Sequence, residues 1–172
     1  MTGGPSAVFD PGQALRILAN HRVRYVVIGG MAANVLGSPS ATFDLDICYA
    51  RDPGNLVALA AALNQMEARL RGVSDDVPFR LDARTLRNGD SFTFLTSAGS
   101  VDVLGTPSGT AGYADLEAAS VELDLLGFKV KVASIEALIR MKRAAARPKD
   151  LIEVEILEAL RDEIENPPRN QR

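Results

Sequence analysis

The apolar run Tyr25-Val26-Val27-Ile28 stops abruptly at Gly29-Gly30. A continuous β-branched and aromatic segment has no polar face, so it reads as a strand buried on both sides, which requires a sheet with helices packed over it. The two glycines read as a tight turn. Residues 31–36 are apolar and Ala-rich, a brief helix ended by Gly37-Ser38-Pro39. From Phe43 the pattern alternates, with Phe43, Leu45 and Ile47 on one face of a second strand and Asp44, Asp46 and Cys48 on the other.

The flanking segments complete an α+β pattern. Asp10 reads as the N-cap of a helix over 11–21 with Pro11 in its first position. After Pro53-Gly54, Leu56, Leu59, Ala60, Leu63, Met66 and Leu70 recur at helical spacing, which predicts a crossover helix over 55–70. Residues 71–90 are polar and carry no clear period. Strands are predicted at 91–95 and 100–104 around Ser97-Ala98-Gly99, and β-like runs at 121–125 and 128–132 on either side of Gly127. Between them lie a Gly- and Thr-containing loop over 106–112 and a short helix over 114–118. Ser134, with Glu136 close behind, reads as the N-cap of a helix that runs to about residue 146 and resumes after Pro148 as far as 164. The expectation is a single α+β domain over 1–165, a mixed sheet of about five strands flanked by helices, with the site at the sheet edge under the C-terminal helices. A frayed tail over 166–172 follows.

Length and composition limit the chemistry. The 172 residues, 47% hydrophobic and 24% charged, suit one folded globular unit. A single Cys and a single His leave no ligand set for structural zinc and no internal disulfide. The start Met-Thr-Gly-Gly-Pro has no basic patch and apolar run of a leader, and no apolar stretch has the length of a membrane span, so a cytoplasmic location is expected. A net charge of -3 argues against non-specific nucleic-acid binding by the chain as a whole.

Asp44 and Asp46 project to one side of a strand, one pleat apart, where their charges repel unless a cation lies between them or water solvates the face. A hard oxygen pair of this kind selects magnesium or manganese. Asp102, alone in Val101-Asp102-Val103-Leu104, either faces water from an edge strand or completes a three-carboxylate cluster of the type that supports displacement at phosphorus. Gly29-Gly30 is either a simple turn or a place where backbone approaches a phosphate. Five basic residues crowd 140–149. On one continuous helix Arg140, Arg143 and Arg147 share a face while Lys142 points elsewhere, so a basic side chain either reaches inward or the face is merely solvated.

Val27-Ile28-Gly29-Gly30, a short helix and Thr42-Phe43-Asp44-Leu45-Asp46-Ile47 together resemble the signature of the DNA polymerase β-like nucleotidyltransferase superfamily. There an apolar-Gly-Gly/Ser turn precedes an Asp-x-Asp/Glu strand. The run from Leu138 to Leu151 is similar to the Lys-containing helix and Arg-x-x-Asp element of its AbiEii-type bacterial group, several members of which act as toxins in toxin–antitoxin pairs. The resemblance covers residues 23–156. It implies a nucleotidyltransferase fold, metal-binding roles for Asp44, Asp46 and Asp102, and help from Asp102 in deprotonating an acceptor hydroxyl. It further implies triphosphate binding by Gly29 and Gly30, Lys142 at the phosphates with Lys149 as a second basic candidate, and Asp150 near the active site. Mg2+ or Mn2+ would be the metal and an NTP the co-substrate. An RNA 3′ end such as that of tRNA would be the acceptor, with an antitoxin-like protein as partner and no membrane association. Where the group often has Pro-Arg-x-Thr, this chain has Pro39-Ser40-Ala41-Thr42, one cation fewer. That departure motivates an alternative, a nucleotide-binding or partner-binding module that keeps the fold without transfer.

Overall fold

The computed structural model describes residues 7–169, so Met-Thr-Gly-Gly-Pro and the last three residues of the expected tail lie outside the described residues. Helix α1 (Pro11–Asn20) leads to strand β1 (Tyr25–Ile28), helix α2 (Gly29–Val35) and strand β2 (Asp44–Tyr49). Helix α3 (Pro53–Gln65), strand β3 (Arg69–Leu70), helix α4 (Ala83–Asn88) and the hairpin of β4 (Ser91–Thr96) and β5 (Gly99–Leu104) follow. Helix α5 (Tyr113–Ala118), a second hairpin of β6 (Ser120–Leu125) and β7 (Phe128–Ala133), and helices α6 (Ile135–Ala145) and α7 (Pro148–Glu165) complete the chain. The expected caps form: Asp10 Oδ1 accepts from the Gln13 amide at 3.0 Å, and Ser134 Oγ accepts from the Ala137 amide at 3.2 Å.

The sheet has seven strands in the order β3-β4-β5-β2-β1-β7-β6, not about five. It is mixed, because β2 runs parallel to β5 and antiparallel to β1, while β1 runs parallel to β7. The expected helix over 55–70 ends at Gln65. Met66 closes it and Glu67 turns the chain back at φ 53°, which frees Arg69 and Leu70 to pair with Leu95 and Phe94. A two-residue strand has no alternation for pattern reading to detect. Helix α4 escaped for the same reason: it buries only Leu86, and its cap, Asp82 accepting from the Thr85 amide, is its main local signal. The carboxylate strand β2 is the middle strand of seven, so the expected position at a sheet edge is corrected to the sheet centre.

Side chains of β2 divide between two helical layers. Leu45, Ile47 and Tyr49 are fully buried. Tyr49 donates its hydroxyl to the Leu86 carbonyl of α4, which packs on α3, which in turn meets α1. The opposite face, carrying Asp44, Asp46 and Cys48, is partly covered by α5, which touches β1, β2 and β7, and by α6, which packs between α2 and α7. Ala146, at φ 52°, closes α6, and Arg147 caps α7. Arg147 therefore does not share a helix face with Arg140 and Arg143. Among the described residues, no helix is long and apolar enough to cross a membrane.

Candidate active site

Strand register assembles the site. Parallel pairing sets Asp46 opposite Asp102, and the β4–β5 hairpin sets Asp102 opposite Thr93. The Arg71 amide donates to the Thr93 carbonyl at 2.9 Å, extending the pairing of β3 by one residue. Residues opposite one another across strands share a face, so Arg71, Thr93, Asp102 and Asp46 form one row across the sheet. The row ends at Ile28, the residue before Gly29. Asp44 stands on the same face one pleat away, opposite Ser100.

These carboxylates are short of positive charge. Burial, followed by the charges of Asp102 and Asp44, pushes the Asp46 carboxyl up to about 7, and the Lys142 charge opposes the shift. Burial also raises Asp102, against the pull of the Arg71 guanidinium. That guanidinium lies 3.7 Å from Asp44 Oδ1 and 3.4 Å from Asp102 Oδ1, and donates to Asp102 Oδ2 at 3.4 Å. Asp102 Oδ1 is left buried without a hydrogen-bond partner. Among the described residues no three acidic, His or Cys side chains stand ready-made around a metal position. Yet an orphaned buried carboxylate oxygen beside two further carboxylates is a donor set that suits a hard divalent cation such as Mg2+ or Mn2+. Asp44, Asp46 and Asp102 would hold it.

Gly29 adopts φ +66°, and a Cβ there would come within 2.2 Å of Asp46 Oδ2. Only glycine permits this contact. At Gly30 a Cβ would meet Thr42 Oγ1 at 2.7 Å, so both glycines abut the start of the acidic strand. Lys142 of α6 faces Gly29 from the other side. Its ammonium is 2.5 Å from Glu153 Oε2 and 3.4 Å from Asp150 Oδ1. Lys142 and Gly29 line two adjoining hollows. One, of about 40 Å³, includes Gly30, Ser38 and Ser40, and the other, of about 160 Å³, includes Ile28, Leu104, Ser108, Arg147 and Asp150.

Asp150 does not join the carboxylate row. It is fully buried and held down at about 2, chiefly by hydrogen bonding from the Arg147 side chain, whose Nε donates at 2.6 Å. Its partners are Arg147 and Lys142, so it stands beside the Lys142 ammonium rather than adding charge to the row. Lys149 is exposed and lines neither hollow. Arg140 and Arg143 pair with Asp115 and Glu158, the arrangement of a solvated helix face. Cys48 is fully buried and its thiol is pushed up to about 12, mainly by burial, which suits a packing residue. Sequence reading missed Arg71: it follows a strand too short to show a period, in a stretch where no element was assigned. It also missed the anchoring of the 38–40 loop by Asn34, whose amide donates to the carbonyls of Ser38 and Ser40.

No protein-family model and no curated protein sequence matches the chain. Solved structures do. A lincomycin-bound lincosamide antibiotic adenylyltransferase, LnuA, superposes with a TM-score of 0.58 at 14% identity, covering 87% of this chain and 95% of that one. The antibiotic-resistance factor ANT(2'')-Ia, in complex with adenylyl-2''-tobramycin, gives 0.53 at 15% identity over 90% of this chain and 94% of its own. A candidate nucleotidyltransferase from Thermotoga maritima gives 0.51 at 18% identity over 91% and 95%. At such low identity what is shared is the fold, and the chain has the fold of these nucleotidyltransferases.

Proposed function

We propose that the chain is a metal-dependent nucleotidyltransferase of the AbiEii-type group that moves a nucleoside monophosphate from an NTP to a hydroxyl. The observation that carries this reading is the row joining Asp46, Asp102 and Arg71, with Asp44 beside it and Gly29 pressed against Asp46. In the proposed reaction the acceptor oxygen attacks the α-phosphorus, the α–β phosphoanhydride bond breaks, and pyrophosphate leaves. Asp102 takes the hydroxyl proton, directly or through water. Lys142, aimed by Asp150, binds the triphosphate, while the glycines let it approach the backbone. A divalent cation held by Asp44, Asp46 and Asp102 would supply charge neutralisation at the phosphates and alignment of the attacking oxygen.

Two acceptor classes follow. Resemblance to the toxin-type group favours an RNA 3′ end, tRNA first, with an antitoxin-like partner. The net charge of -3 and the lincomycin and tobramycin named for the structural neighbours favour a small-molecule hydroxyl. Incubation with labelled NTPs, Mg2+ and either tRNA or an aminoglycoside and lincosamide panel separates them. Transfer that survives both Asp44→Asn and Asp46→Asn would end the assignment of catalysis to this carboxylate site. NTP binding by calorimetry with no pyrophosphate release from any acceptor would favour the non-catalytic module, for which Ser40 in place of a cation is the motive.

A further inference from the structure

Charge and geometry around Arg71 are unlike an ordinary surface ion pair. A single guanidinium serves two carboxylates on different strands, Asp44 on β2 and Asp102 on β5, at 3.7 and 3.4 Å. Those separations exceed the roughly 2.7–2.9 Å of a tight charge-assisted bond. The contact neutralises without satisfying: Asp102 Oδ1 keeps no hydrogen bond although it is buried. Arg71 is also free to leave. It is the last paired residue beside an edge strand, it is followed by Gly72 at φ +76° with open space around it, and residues 72–78 are exposed.

We propose that Arg71 is the resident counter-cation of the carboxylate trio, a guanidinium that holds the divalent cation's place and is expelled when the cation binds. This rests on the reading of Asp44, Asp46 and Asp102 as the metal ligands. The site is thereby partly neutralised before metal arrives, and its affinity for free metal is set lower than three converging carboxylates alone would give. The swing is inexpensive because the side chain is partly exposed and the pairs it leaves are loose. Expulsion also releases a guanidinium beside the site, free to meet an anionic ligand.

The test measures Mn2+ binding by the decrease in the free-ion electron paramagnetic resonance signal, in the full chain without nucleotide. Arg71→Met should bind Mn2+ about tenfold more tightly than the wild type, the order expected from removing two partly exposed competing ion pairs. Arg71→Lys should fall between them. Arg71→Gln gives the same reading if the Met variant does not fold. Equal or weaker Mn2+ binding by Arg71→Met, in a protein whose binding is still abolished by Asp46→Asn, overturns the inference and leaves the metal trio standing. Mn2+ binding absent from wild type and Arg71→Met alike, or unaffected by Asp46→Asn, removes the trio and the inference together.

Discussion

Replacing Gly29 with alanine tests the contact that couples the turn to the acidic strand. Two costs add. Alanine in the left-handed region at φ +66° loses roughly 1–2 kcal/mol against glycine. The new methyl would also stand 2.2 Å from Asp46 Oδ2, so the carboxylate must retreat by about 1 Å to reach ordinary van der Waals contact. It can move only among Asp44 and Asp102, whose charges already oppose its own. A combined cost of about 2–4 kcal/mol is expected, lowering Tm by about 5–15 °C in a domain of this length. Under the proposed mechanism, displacing the Asp46 oxygen assigned to the metal by that distance should lower transfer by about a hundredfold. The double-mutant cycle decides the cause. In an Asp46→Ala background, Gly29→Ala should cost only the backbone contribution, read as a Tm loss of about half that seen in the wild type. An equal loss in both backgrounds would refute the assignment of the clash to Asp46, and an unchanged Tm in the wild type would refute the left-handed turn itself.

The raised carboxyl of Asp46 binds a proton more tightly in the folded chain than in the unfolded one. Its contribution is therefore fully present below the unfolded carboxylate range and lost as pH rises through about 7. Metal-free protein should lose thermal stability between about pH 4 and pH 7; Asp46→Asn should flatten that slope, and a slope the variant retains belongs to another group. Asp150 behaves oppositely, since a carboxyl held at about 2 contributes stability above its unfolded value that disappears as pH falls toward 2. Asp150→Asn should cost about 2–3 kcal/mol at neutral pH by leaving Arg147 and Lys142 without their buried partner, and should weaken NTP binding, measured by denaturant unfolding and by titration calorimetry. Cys48 should resist thiol reagents in native protein and react only on unfolding; rapid native labelling would contradict its burial.

Much of the site was legible along the chain because its signals are local. The Tyr25-Val26-Val27-Ile28 run forms β1 as expected and the alternation from Asp44 to Ile47 lies in β2, whereas Phe43 precedes that strand and is exposed, and the glycine pair, expected as a turn, opens helix α2. Asp102 could be singled out as a carboxylate in an apolar strand, but its partner could not. Edge exposure and pairing with β2 were both open, and only strand order places it beside Asp46. Lys142 and Asp150 emerged from a resemblance, and the structure adds that Asp150 stands beside Lys142 rather than in the row.

The amino-acid order alone determined the helix caps, the two-sided burial of β1 and the acidic face of β2, because capping, hydrophobic period and side-chain alternation act over a few neighbouring residues. Tertiary structure decided that β2 lies at the centre of seven strands, that Asp46 faces Asp102 and that Arg71 reaches across to both outer carboxylates. Those facts depend on register between strands far apart in the chain. Register is fixed by the packing of the whole sheet, and two residues of β3 carry too little pattern of their own to reveal it.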